Sequence, residues 1–366
     1  MSEQLLKGFA EQIQGAIQAK QLLRITGSGS KDWLGGELKG TPLSTKDYQG
    51  VISYQPDELV ITVKAGTPIK EVESILAEKN QQFSFESPHF GPHATIGGMV
   101  CAGLAGPGRV SAGNLRDFVL GAKIMDGQGQ IMNFGGTVMK NVAGYDVSRL
   151  MPGSLGTLGL LLDVSIKVLP KPAASATVTT QITQAEAIQL MNLLASQPWP
   201  LSASCWQGDG SGTLHLRLKG AIAAVESAIQ TFGLKYGMKV VDEEQAAIFW
   251  NDLKEQKNTW FNDSSDSPLW RFAVAPTSAP LGLPGPTLLE WHGGQRWWRG
   301  QIDAESAKKI AFRANGHASI FRASNKNQAM LSSLKDNPLT SPLVSVQDRL
   351  VKAFDPHGVF ATGRLA

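Results

Sequence analysis

Three glycine-rich segments carry the residue types that could hold an anionic, flat ligand. The first is Arg24-Ile25-Thr26-Gly27-Ser28-Gly29-Ser30, a short apolar run ending in small residues. A turn of this kind exposes successive backbone N–H groups, and glycine allows the tight bend and close approach that a pyrophosphate needs. A plain turn would leave the same pattern. The segment is not a Rossmann fingerprint, because Asp32 stands where the third glycine should fall, and no Gly-Lys-Ser/Thr follows to make a P-loop. The second segment runs from Ser87-Pro88 through Ala94-Thr95-Ile96-Gly97-Gly98-Met99-Val100-Cys101-Ala102-Gly103. Its small residues would let a backbone lie against a large flat ligand, and a tightly packed helix start explains them equally well. The third comprises Lys140-Asn141-Val142-Ala143-Gly144-Tyr145-Asp146, Arg149-Leu150 and Gly153-Ser154-Leu155-Gly156-Thr157-Leu158-Gly159. On local grounds a structural turn beside a capped helix is the better reading of it.

These segments sit between elements with clear periodicity. Leu5, Leu6, Phe9, Ile13 and Ile17 mark a helix over 3–20, and a strand at 22–26 delivers the first glycine loop. A second strand at 59–63 leads to Thr67, expected as an N-cap, and Pro68, expected as the first residue of a helix whose buried face is Val72, Ile75 and Leu76. Residues 87–118 are rich in glycine and proline and show little periodicity. Strands at 119–125 and 130–134 flank Asp126-Gly127 and predict a hairpin. The apolar run 160–169 predicts a buried strand, which Pro170-Lys171-Pro172 ends.

Beyond Pro172 the pattern changes. A strand at 177–182, a helix at 184–196, strands near 202–207 and 213–219, a helix at 221–233 and a strand at 237–241 predict a βαββαβ, ferredoxin-like unit. A looser copy follows: a helix at 243–256, strands near 269–274, 287–292 and 296–301, a helix at 304–313 and a strand at 317–322. A last helix covers 343–354. The expected division is 1–172, 173–335 and a returning C-terminal segment at 336–366, in an α+β fold.

The bulk properties exclude several function classes. With 366 residues, 42% hydrophobic and 18% charged, the chain can bury two or three domain cores. A net charge of +3 without a basic block argues against nucleic-acid binding. The two cysteines, Cys101 and Cys205, cannot by themselves hold an iron–sulfur cluster or a four-cysteine zinc site. Met1-Ser2-Glu3-Gln4 lacks a signal-peptide layout, and no apolar run approaches the roughly 20 residues of a spanning helix. The expected location is cytoplasmic, with any place at the inner membrane reached through partners.

Taken together and in this order, the segments resemble the FAD-binding (PCMH/VAO-type) fold shared by vanillyl-alcohol oxidase, para-cresol methylhydroxylase and D-lactate dehydrogenase. The matching stretches are RITGSGS at 24–30, ELVITVKAGTPIKEVESIL at 58–76, SPHFGPHATIGGMVCAGLAGPGR at 87–109, LRDFVLGAKIMDGQGQI at 115–131, KNVAGYDVSRLMPGSLGTLGLLLDVSIKVLPKP at 140–172, and FDPHGVFATGRL at 354–365. Within that family the KNVAGYD and GSLGTLG phrasing is similar to that of the smaller FAD-binding subunits of bacterial glycolate oxidase. The resemblance implies a two-subdomain FAD domain followed by a small ferredoxin-like cap. It implies FAD held by Thr26, Gly27, Ser28, Gly29 and Ser30, by Pro88, Ala94, Thr95, Ile96, Gly97, Gly98, Cys101, Ala102 and Gly103, and by Gly153, Ser154, Gly156, Thr157 and Gly159. The isoalloxazine ring would lie where the two subdomains meet the cap. The implied partners are a larger FAD-bearing catalytic subunit and an iron–sulfur subunit, the implied substrate of the complex a small 2-hydroxy acid.

Two departures from the family refine this expectation. Members that attach FAD covalently through histidine carry it just after the first glycine loop, where this chain has Ser28-Gly29-Ser30-Lys31; dissociable FAD is expected. Members that oxidise α-hydroxy acids themselves carry a histidine-rich metal motif in the cap. Here His215, His292 and His317 are scattered, and Arg271, Arg296, Arg299 and Arg322 are ordinary cations as often as carboxylate ligands. The expectation is a subunit that binds FAD and passes electrons on, rather than one that activates the hydroxyl. A self-sufficient D-2-hydroxy-acid dehydrogenase and a flavin-free scaffold are the alternatives. Trp260, Trp270, Trp291, Trp297 and Trp298 make either a partner surface or a core.

Overall fold

The computed structural model describes residues 2–136, 146–262, 267–323 and 341–364. They divide into two compact units: 2–105 with 114–136, 146–171 and 341–364, and 106–113 with 172–262 and 267–323.

In the first unit, α1 (Ser2–Ala19) buries Phe9, Ile13 and Ala16. β1 (Leu23–Thr26) pairs in parallel with β2 (Thr41–Ser44), Thr26 opposite Ser44, so the first glycine loop lies in the crossover between them. Pro42 is tolerated because β2 is an edge. β3 (Val51–Gln55), β4 (Val60–Lys64), β6 (Val119–Met125), β7 (Ile131–Gly135) and β8 (Leu160–Lys167) form an antiparallel sheet in the order β3-β4-β8-β6-β7. β8 is central and buried along seven of its eight residues. Leu160 and Leu162 pack with α1 and β1, while Val164 and Ile166 join the core under α2 (Ile69–Glu78); the two-residue strands β5 (Gln81–Gln82) and β9 (Leu169–Pro170) pair with each other. A strand covered on both faces shows no alternation, which is why its sequence is one apolar run. The 119–135 hairpin forms as expected, and Asp126 Oδ1 closes its turn by accepting from the amides of Gln128 and Gln130 at 2.9 and 2.8 Å.

The start of α2 departs from expectation. Pro68, not Thr67, is its N-cap, and Thr67 Oγ1 instead accepts from Gly50 N at 2.8 Å and donates to Lys64 O at 2.7 Å. Thr67 therefore holds the approach to the helix rather than its first turn. The aperiodic stretch at 87–118 contains three short helices: α3 (Ile96–Ala102), α4 (Arg109–Ala112) and α5 (Leu115–Phe118).

The second unit contains one eight-stranded antiparallel sheet. β10 (Ala174–Thr183), β11 (Leu201–Asp209), β12 (Ser211–Gly220) and β13 (Lys239–Val240) take the order β13-β10-β12-β11, with α6 (Gln184–Ala195) and α7 (Ile222–Tyr236) as connections. This is the ferredoxin-like order 4-1-3-2. After α8 (Glu243–Glu255), β14 (Leu269–Ala273), β15 (Thr287–Glu290), β16 (Gln295–Arg299) and β17 (His317–Arg322) repeat it as β17-β14-β16-β15, with α9 (Ala304–Arg313) before the last strand. The second copy is thus real, but the residues between β14 and β15 form no helix. The copies join edge to edge, Cys205 opposite Glu290 through Gly208 opposite Thr287. Trp270, Trp297 and Trp298 are at most 3% exposed, which makes them core residues and not a partner surface.

Candidate functional site

A cleft in the first unit gathers parts of all three glycine segments. Thr26, Gly27, Ser28, Gly29, Ser30, Lys31 and Asp32 form one wall, and Thr95, Gly97, Gly98, Cys101 and Ala102 another; Leu155, Gly156 and Arg364 complete it, with Ile25, Thr45, Ala65 and Leu161 at its base. It spans about 650 Å³, the open solvent at its mouth included.

The walls are held by a few local devices. Thr95 caps α3, its Oγ1 accepting from Gly98 N at 3.2 Å, and the helix ends at Gly103 in the left-handed conformation, φ +61°. Gly103 also lies against the backbone of Gly153, leaving no space for a Cβ. Leu155 N donates to Cys101 O at 2.9 Å and Gly153 N to Val100 O at 3.2 Å, which docks the third segment on the end of α3. Gly27 approaches Thr95 so closely that a Cβ would collide with the hydroxyl oxygen. Among the described residues, the amides of Gly27, Ser28 and Gly29 donate to no other group.

Lys31, 9% exposed, donates from Nζ to His89 O at 3.0 Å. Arg24 pairs with Asp32 at 3.3 Å. Burial pushes the Cys101 thiol up to about 11, against smaller opposing contributions from Ser154 and the backbone of Gly156. The thiol therefore stays protonated at neutral pH and packs as a small apolar group.

Of the residues expected at the site, Thr26, Gly27, Ser28, Gly29, Ser30, Thr95, Gly97, Gly98, Cys101, Ala102 and Gly156 line the cleft. Pro88, Ala94, Ile96, Gly103, Gly153, Ser154, Thr157 and Gly159 do not. Ile96 and Ala94 point into the core at 0% and 2% exposure, Thr157 Oγ1 turns back to Ser154 O, and Gly159 packs on Met125 O. These residues build the walls without facing the space. Lys140 to Tyr145 lie outside the described residues. Lys31 and Asp32 immediately follow the glycine loop and could have been included with it; Thr45 and Arg364 carry no local signal.

In the second unit the three histidines are apart. His215 on β12 stacks on Phe249 at 4.0 Å, His292 Nδ1 is 2.9 Å from Ser204 Oγ, and His317 lies on β17. Among the described residues no three His, Cys, Asp or Glu side chains converge as metal ligands.

Comparison with known proteins agrees with this geometry. A family model described as an FAD binding domain matches residues 10–135. Glycolate oxidase subunit GlcE of Escherichia coli (strain K12) is 41% identical over 360 residues, spanning 98% of this chain and 97% of that protein. The chain belongs to the glycolate oxidase subunit GlcE family. Other relatives match shorter stretches: glycolate oxidase subunit GlcD of Bacillus subtilis (strain 168) is 31% identical over 38% of this chain and 29% of its own length. D-2-hydroxyglutarate dehydrogenase of Xanthomonas citri pv. viticola is 26% identical over 46% of this chain and 37% of that protein. Among solved structures, an alkyldihydroxyacetonephosphate synthase aligns with a TM-score of 0.65 at 14% identity over 96% of this chain and 74% of that one, which is a likeness of fold.

Proposed function

We propose that this chain holds FAD non-covalently in the cleft of its first unit, as one subunit of a complex that oxidises glycolate to glyoxylate. The observation that carries the reading is the convergence of the 26–32 loop, the 95–102 turn and helix, and Leu155-Gly156 around one cleft. The cleft suits a dinucleotide chemically. The undonated amides at 27–29 form a nest for a pyrophosphate, and the lack of a side chain at Gly27 lets the loop pack directly on Thr95. Residues 28–31 offer no histidine for a covalent bond, and Cys101 is a protonated, packed thiol. FAD, when bound, supplies redox chemistry that side chains lack.

The hydroxyl-activating step belongs to a partner in this reading. A general base or metal is needed to take the hydroxyl proton of a 2-hydroxy acid, and the three cap-unit histidines sit in unrelated places. The partners in this reading are those the family resemblance implies, a larger FAD-bearing subunit and an iron–sulfur subunit; the two cysteines of this chain cannot ligate a cluster themselves. No helix among the described residues is long and apolar enough to cross a membrane; attachment to the inner membrane would be peripheral and through those partners. The test is turnover of glycolate with a dye acceptor by the purified chain, alone and with its partner subunits. The isolated chain should be inactive and the reconstituted complex active. Turnover by the chain alone at rates ordinary for an enzyme would make it a self-sufficient dehydrogenase.

A further inference from the structure

The C-terminal segment folds back onto the element that carries the glycine loop. Leu23 N donates to Val359 O at 2.8 Å, and Val359 and Phe360 sink into the same apolar cluster as Leu23. Asp355, 3% exposed, fixes this return by accepting from the amides of Val359 and Phe360 at 2.9 and 2.7 Å. The anchored tail then brings Arg364 to the wall of the cleft.

Arg364 is held there by one end of its guanidinium. Nη2 donates to the carbonyls of Lys31 and Asp32, each at 3.3 Å, and to that of Leu34. These carbonyls belong to the residues that directly follow the glycine loop. Arg364 lines the cleft, and the natural partner of a guanidinium there is a carboxylate or phosphate oxygen. Among the described residues, the only carboxylate lining the cleft is Asp32, which is paired with Arg24. Lys31 and Arg364 thus give the wall a positive excess. Burial disfavours the charged form of Arg364, nearby Asp32 offsets part of this and Arg24 adds to it; an anion in the cleft would favour the charge further.

From this geometry we infer that Arg364 is a diphosphate-binding residue, meeting the pyrophosphate of a dinucleotide in the cleft and so locking the C-terminal tail to the glycine loop when the ligand is bound. The inference rests on the FAD reading above. A charge-assisted contact of this kind selects ligands that carry the diphosphate over those that do not.

The test uses the full chain, as wild type, Arg364→Gln and Arg364→Lys, titrated with FAD and with riboflavin, which lacks the diphosphate. Arg364→Gln should weaken FAD binding about ten-fold or more, Arg364→Lys less, and neither should change the weaker binding of riboflavin. In the wild type, FAD but not riboflavin should slow amide hydrogen exchange at 355–364. Equal FAD affinity in wild type and Arg364→Gln would overturn the inference, as would an equal loss for riboflavin, which marks a purely structural role. If Arg364→Gln does not fold, the exchange measurement decides: tail protection by FAD supports the inference and unchanged exchange overturns it. A wild-type chain that binds no FAD would instead remove the FAD reading itself, and the inference with it.

Discussion

Gly27 and Thr95 are the pair on which the cleft turns. The glycine has no Cβ because the Thr95 hydroxyl occupies that space, and the hydroxyl is needed there to cap α3. Gly27→Val should therefore abolish FAD retention while far-UV circular dichroism stays near wild type, since overpacking costs ~1–3 kcal/mol, too little by itself to unfold most domains. Thr95→Ala should keep the backbone but lose the cap, costing ~1 kcal/mol in urea denaturation. Residue-level reading of the sequence found Gly27 and Thr95 because small residues cluster locally around them. It could not find Arg364, which reaches the loop from more than 300 positions away, nor separate Ala102, which faces the cleft, from Ala94 and Ile96, which face the core. In a stretch of short helices and turns, no period assigns a side to each residue.

The elements of the second unit show where periodicity is informative and where it stops. The first ferredoxin-like copy was legible because its helices and strands have distinct periods and clear caps, such as Thr183 with Glu186 at the start of α6. The second copy was blurred by residues 274–286, where Pro276, Pro280, Pro284 and Pro286 stand in place of a helix. The edge-to-edge joining of the copies at β11 and β15 is a tertiary pairing with no sequence mark. Trp206, fully buried on β11 and donating to Ile182 O at 3.1 Å, anchors the first copy. Trp206→Ala should cost ~3–5 kcal/mol in equilibrium unfolding. Burial also lowers His215 to about 4 and His292 to about 4. Both groups resist protonation when folded and accept it near pH 6.5 when unfolded. Their contribution to stability is complete above about pH 6.5 and is lost as pH falls from there toward 4. His215→Phe, which keeps a ring against Phe249, should flatten that decline; stability curves of wild type and variant that run parallel between pH 6.5 and 4 would contradict it.

For the whole molecule, fold and chemistry have different supports. The fold stands on two separately packed units and a C-terminal segment that returns to the first. The FAD domain stands on the glycine segments, whose local ambiguity disappears once they are seen around one cleft. Ligand linkage gives the molecule-level prediction: FAD at a hundred-fold excess over its Kd should stabilise the native chain by ~2.7 kcal/mol and raise its Tm accordingly. The most direct test of the central claim is the visible spectrum of the full-length chain incubated with FAD and freed of excess ligand, followed by acid precipitation. The account predicts a bound flavin band that moves entirely to the supernatant on precipitation and is missing in Gly27→Val. A colourless wild-type chain, or flavin that stays with the acid pellet, would contradict it.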